Sequence, residues 1–123
     1  WWDFDTHRPG FIPGKFSKTN KYIQNYRDAS AASVTASALL ELSSYVKDDK
    51  KKIYTETALQ ILTSLSSPEY RAAEGKNGNF ILKHSTGAIP HGSEVDVSLI
   101  YADYYFLEAL LRYNRMINNK PIL

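Results

Sequence analysis

A chain of 123 residues, 43% hydrophobic and 23% charged, has room for one domain or part of a larger one, and too many apolar side chains to be disordered throughout. Its formal charge is only +2 and no basic run exceeds Lys50-Lys51-Lys52, so a nucleic-acid partner, which needs a concentrated basic face, is not expected. No apolar stretch approaches the roughly 20 residues of a membrane-spanning helix, the start does not read as a signal peptide, and no membrane partner is expected.

Zero Cys excludes disulfides, thiolate catalysis and Cys-held zinc, and suits cytoplasm and periplasm alike. Aromatic residues are the unusual class, with nine Tyr, five Phe and two Trp. They suit a carbohydrate site and, more commonly, a core.

Residues 1–27 contain Pro, Gly and Lys without a sustained period, and read as an extended segment that wraps over a larger body. An opening on Trp1-Trp2, without any polar lead-in, predicts that further sequence precedes it. Asp28 is the expected N-cap of a first helix in which Val34, Ala38, Leu42 and Tyr45 or Val46 recur at helical spacing. The rest of that helix is small: Ala29, Ala31, Ala32, Ser33, Ala36 and Ser37 let backbones approach on more than one side. Such a helix packs between others.

Asp48 or Asp49 is the expected cap of a second helix carrying Ile53, Ala58, Ile61, Leu62 and Leu65, ended by Ser66-Ser67-Pro68. Pro68 then suits the first position of a short helical stretch to about Ala73, capped by Ser67. Lys76-Asn77-Gly78-Asn79 is a turn, Phe80-Ile81-Leu82 a strand-like segment, and residues 87–92 a loop. Ser93 and Asp96 match a capping box for a last helix with an apolar stripe of Val97, Ile100, Tyr104, Leu107 and Leu111. Asn118-Asn119-Lys120-Pro121 ends it. The fold class is thus all-α, built of antiparallel helical hairpins with one long loop, and each helix has apolar or small residues on more than one face.

Chemistry-bearing residues are few. Asp3 and Asp5 flank Phe4 beside Trp2, a pairing that suits a sugar through carboxylate hydrogen bonds and ring stacking, with a helix or loop cap the stronger explanation. Asp103 lies inside the apolar run 101–107 and needs a partner if buried: a Tyr hydroxyl, a backbone amide or Arg27. A last helix opening at Ser93 puts Asp96 and Asp103 on one face about 10 Å apart, loosely like an inverting carboxylate pair, with capping the stronger explanation of Asp96. His84, Ser85, Thr86 and His91 crowd the loop before that helix and can aim donors at an anion. The two histidines lack a third ligand at metal spacing, and no metal or other cofactor is expected. No nucleophile-elbow, phosphate-loop or HExxH zinc motif is present.

Four stretches together resemble unsaturated glucuronyl hydrolases, glycoside hydrolase family 88: Trp2-Asp3-Phe4-Asp5; residues 27–32 leading into 37–42; Gly92-Ser93-Glu94-Val95-Asp96-Val97; and residues 100–112, IYADYYFLEALLR. The tyrosine-rich last motif is the most specific. The similarity runs over nearly the whole chain except the segment between Thr6 and Tyr26, and Ala29 stands where the family usually has Ser. The resemblance implies an (α/α)6 toroid of which residues 1–123 are a C-terminal fragment, since six hairpins need more than about 150 residues.

It also implies an enzyme that removes an unsaturated uronic acid from the non-reducing end of glycosaminoglycan fragments by hydrating the C4–C5 double bond. The acid/base aspartates of the family lie upstream of Trp1, so no catalytic residue is assigned here and the fragment alone is expected to be inactive. The implied partners are an unsaturated oligosaccharide and the rest of the polypeptide. The loop 84–92 corresponds to a family segment that contacts substrate and influences tolerance of sulfated sugars. It supplies the candidate binding residues Ser85 and Thr86, with His84, Gly87 and His91 behind them, and Trp2 as a further one. The competing readings are an unsaturated rhamnogalacturonyl hydrolase, and a helical module that binds a glycan or peptide without turnover; no 34-residue repeat supports a tetratricopeptide array.

Overall fold

The computed structural model describes residues 26–122, and over that span the protein is three α-helices joined by turns and loops: α1 (Ala29–Tyr45), α2 (Asp48–Leu65) and α3 (Ile100–Ile117). No strand forms among the described residues, only isolated bridges, so the all-α expectation holds. None of these helices is long and apolar enough to cross a membrane.

Asp28 caps α1 as its side chain suggests, accepting from the N–H groups of Ser30 at 3.0 Å and Ala31 at 3.2 Å. A two-residue link, Val46-Lys47, folds the chain back, so α1 and α2 form the antiparallel hairpin that was anticipated. The expected acidic cap of α2 is not realised. Lys47 occupies that position without a side-chain cap, and Asp48 and Asp49 sit in the first turn, where their charge favours the positive end of the helix dipole. The helix ends at Ser66. Pro68 then supports one turn, closed by Tyr70 and Arg71 N–H bonds to the Ser67 carbonyl, and the chain is extended again by Arg71 instead of continuing helical to Ala73.

Arg71 bridges Leu82, with Ala72 N–H on the Ile81 carbonyl at 2.9 Å and Lys83 N–H on the Tyr70 carbonyl at 2.8 Å, so residues 80–82 are strand-like as expected. The short turn between them, Asn77–Asn79, uses left-handed backbone at Asn77, Gly78 and Asn79, residues that tolerate it. α3 then runs beside α1 in the same direction, since Ser37 meets Glu108 while Glu41, one turn on, meets Arg112. α1 packs on both α2 and α3, which barely touch each other, making the small-residue helix the middle one as its composition requires.

The core is narrow. Leu40, Leu62, Leu65, Leu82 and Phe106 fill it between Ala29, Ala36, Ala58, Ala102 and Ala109. The buried side of α1 also carries Ser30, Ser33, Ser37 and Ser43. Helix carbonyls take two of these hydroxyls, Ser33 on Ala29 at 2.7 Å and Ser43 on Leu40 at 2.6 Å, so polar groups lie in the seam without being orphaned. Arg112 closes the far end: it donates to the Ser37 carbonyl at 2.8 Å and to Glu41 at 2.8 Å, beside Glu108.

The stripe read for α2 packs inward through Ala58, Leu62 and Leu65, whereas those read for α1 and the last helix point the other way. Val34, Ala38, Leu42 and Tyr45 of α1 are exposed, and so are Val97, Ile100, Tyr104, Leu107 and Leu111. The reason is steric. Within this span α1 and α3 meet largely through their smaller residues, which permits close approach, and their bulky apolar faces are left pointing outward.

Candidate functional site

The loop that precedes α3 folds back on itself. Ser85 and Val97 exchange both backbone hydrogen bonds, at 2.7 and 2.9 Å, and Gly87 N–H reaches the Glu94 carbonyl at 2.8 Å. The tip is a single 3-10 turn, Ile89–His91, closed by Gly92 in the left-handed region at φ 67°. The capping box expected at Ser93 and Asp96 does not form, because α3 opens only at Ile100 with Leu99 as its N-cap. Asp96 and Asp103 therefore do not share a helical face. Hairpin pairing won over the local capping signal.

Asp96 turns instead to His84, whose Nδ1 lies 2.7 Å from Oδ1. A carboxylate only accepts, so Nδ1 carries the hydrogen of this bond. The His84 ring, about a third exposed, also stands edge-on to Tyr70. His84, Glu94 and Asp96 all hold positive φ, at 64°, 52° and 54°. Three non-glycine residues in the left-handed region of one short loop is strain that the surrounding contacts must maintain.

Those contacts come from the start of α1. Ala29 N–H donates to the His84 carbonyl at 3.0 Å, the Thr86 hydroxyl donates to the Arg27 carbonyl at 2.8 Å, and Thr86 N–H approaches Asp28 Oδ1 at 3.4 Å. Arg27 itself pairs with Glu69 and lies 5.3 Å over the Tyr70 ring. On the other side Asp103, 7% exposed, takes the N–H groups of Ile81 and Leu82, both at 2.8 Å. Of the partners anticipated for this carboxylate, the backbone amide is the one present.

The sequence-derived binding residues divide accordingly. Ser85 and Thr86 are buried; the Thr86 hydroxyl is committed to Arg27, and the Ser85 hydroxyl has no partner among the described residues. His84 is half-buried, and Gly87 and His91 are exposed. Trp2, with Asp3 and Asp5, lies outside the described residues. Glu94 and Tyr101 join the group without having been singled out: a Cβ on Gly87 would strike the Glu94 carboxylate and sit 2.9 Å from the Tyr101 hydroxyl.

The loop is a surface feature. A cleft of about 450 Å³ lies between residues 71–76 and 79–81, and one of about 480 Å³ between Leu59, Leu62, Leu110 and Tyr113, and neither includes it. No cluster of three His, Asp or Glu suited to a metal ion occurs among the described residues.

No family model matches the chain. It is 47% identical over 91 residues to an unsaturated glucuronyl hydrolase of Formosa agariphila, a match covering 74% of this chain and 22% of that protein. Among solved structures, an unsaturated glucuronyl hydrolase specific for heparin superposes with a TM-score of 0.71 at 56% identity, over 79% of this chain and 25% of the other. The unsaturated glucuronyl hydrolase of Bacillus sp. GL1, responsible for the degradation of glycosaminoglycan, matches at 32% identity and a TM-score of 0.66, over 75% of this chain and 25% of the other. The chain thus spans about a quarter of the length of the relatives it matches. These relatives are (α/α)6 toroid enzymes, and a three-helix span fits one part of such a ring. In sequence and in fold, the chain belongs to the unsaturated glucuronyl hydrolase family.

Proposed function

We propose that the 123 residues are part of a single (α/α)6 toroid catalytic domain which removes an unsaturated uronic acid from the non-reducing end of lyase-generated glycosaminoglycan oligosaccharides. The observation that carries this is the 56% identity, within the same fold, to the heparin-specific enzyme. In this reading water adds across the C4–C5 double bond, and the resulting hemiketal opens and releases the next sugar. The acid/base carboxylates come from outside this span, so the segment by itself is inactive.

Its contribution is one wall of the site, formed by residues 84–92. The surface groups that meet the sugar are the His84 ring, held by Asp96, the exposed Gly87 and His91. Ser85 and Thr86 lie beneath them, Thr86 tying the loop to Arg27 and the Ser85 hydroxyl open to a partner from outside the described residues. Trp2 is a further proposed contact, with stacking on a sugar face as its role.

The test is turnover of a panel of unsaturated disaccharides by the intact polypeptide, followed as loss of the ultraviolet absorbance of the double bond. Heparin-, chondroitin- and hyaluronan-derived disaccharides separate the glycosaminoglycan classes. A preference for a pectin-derived disaccharide would point to the rhamnogalacturonyl reading, and no turnover of any unsaturated uronide would overturn the proposal.

A further inference from the structure

The strand-like segment that leads into the candidate loop hangs from two carboxylates on different helices. Asp28, at the mouth of α1, holds Thr86. Asp103, in the first turn of α3, holds Ile81 and Leu82 with one oxygen each. The pairing of this segment with residues 70–72 uses the Ile81 carbonyl and the Lys83 N–H, so the two amides that Asp103 receives are not used there.

Asp103 is 7% exposed and no cation among the described residues pairs with it, so within this span its charge is balanced by those two N–H groups. A carboxylate at that position is costly to bury unless it is hydrogen-bonded, and an apolar residue there would leave the Ile81 and Leu82 amides without their acceptor. What the carboxylate supplies is direction. Two charge-assisted bonds to consecutive amides fix both the height and the rotation of the backbone two residues before His84.

We infer that Asp103 is a positioning residue for the substrate: it sets where His84 to Gly87 leave the helical body, and so governs glycan affinity without touching the glycan. The inference rests on the proposed function and names a residue through which α3 controls that wall. A loop already carrying three strained residues has little freedom to correct a misplaced base, so a small shift at Leu82 is passed on to His84.

The experiment is steady-state kinetics of the intact polypeptide on an unsaturated heparin disaccharide, comparing wild type, Asp103→Asn and Ala109→Gly, all assayed well below their melting transitions. Asn keeps the size of Asp but turns an NH2 group toward one of the two amides. Ala109→Gly weakens the same helix at a fully buried position six residues beyond Asp103. Asp103→Asn is expected to raise KM by roughly tenfold with a smaller change in kcat, while Ala109→Gly leaves KM at the wild-type value.

Hydrogen exchange at the Ile81 and Leu82 amides is expected to be slow in the wild type and faster in Asp103→Asn. A wild-type KM in Asp103→Asn, or an equal rise in Ala109→Gly, overturns the inference. If Asp103→Asn does not fold, wild-type exchange decides: protection of Ile81 and Leu82 comparable to α3 supports the tie, and exchange as fast as an open loop overturns it. Absence of turnover by the wild type is a separate outcome that removes the proposed function itself, and the amide exchange still reports whether Asp103 holds the segment.

Discussion

The two faces of α3 carry opposite chemistry. Toward α1 it presents Ala102, Phe106 and Ala109, with Arg112 held by Ser37 and Glu41; away from it stand Ile100, Tyr104, Leu107 and Leu111, all more than a third exposed. The same contrast runs along α1, where Ser33, Ala36 and Ser37 are buried and Val34, Leu42 and Tyr45 are exposed. Small residues and hydroxyls in the seam allow close backbone approach but bury little apolar area, whereas the outer faces offer far more area than they use. The lesson is that the seam is finished within this span, and that the proposed ring would draw most of its hydrophobic stabilisation here from the outer faces.

The sharpest way to break this contrast is a charge on the outer face. In the intact polypeptide Leu107→Glu is expected to cost about 4 kcal/mol, because a carboxylate would be buried without a partner. If the face is wet the change should stay within about 0.5 kcal/mol by denaturant unfolding. On the inner face Phe106→Ala should cost about 3 kcal/mol through lost burial and a residual cavity.

Arg112→Ala is expected to cost slightly less, about 2 kcal/mol. It leaves Glu41 and Glu108 without their shared cation, but Glu41 is 34% exposed and water softens the loss. The smallest effect, about 1 kcal/mol, is expected for Asp28→Ala, which removes the α1 cap together with the Thr86 N–H contact. Its readout is a melting temperature lowered by a few degrees, with faster amide exchange at Thr86.

Much of this was legible in the residues. The Asp28 cap, the small-residue character of α1, the turn at Ser66 to Pro68 and the all-α class follow from local chemistry, and local chemistry is retained in the fold. For α2 the inward face was legible, since Ala58, Leu62 and Leu65 are buried, but for α1 and α3 it was not. Periodicity locates a bulky stripe, but in α1 and α3 the close contacts go through the opposite, smaller face. The loop was legible as a crowd of His84, Ser85, Thr86 and His91, not as a hairpin. Ser93 and Asp96 match a capping box, and only the long-range pairing of Ser85 with Val97 reassigns Asp96 to His84. Family membership was legible because the motif at residues 100–112 joins both faces of α3, the Asp103 anchor and Arg112 in one run.

The most direct measurement is oxidative footprinting of Tyr104 and Leu107 in the intact polypeptide, comparing native with denatured protein by mass spectrometry. Coverage by the remaining helices predicts that both are strongly protected in the native state although they are 60% and 52% exposed in this span alone. Oxidation of native Tyr104 and Leu107 at the denatured rate would contradict it, and would mean that the outer face of α3 is a true surface.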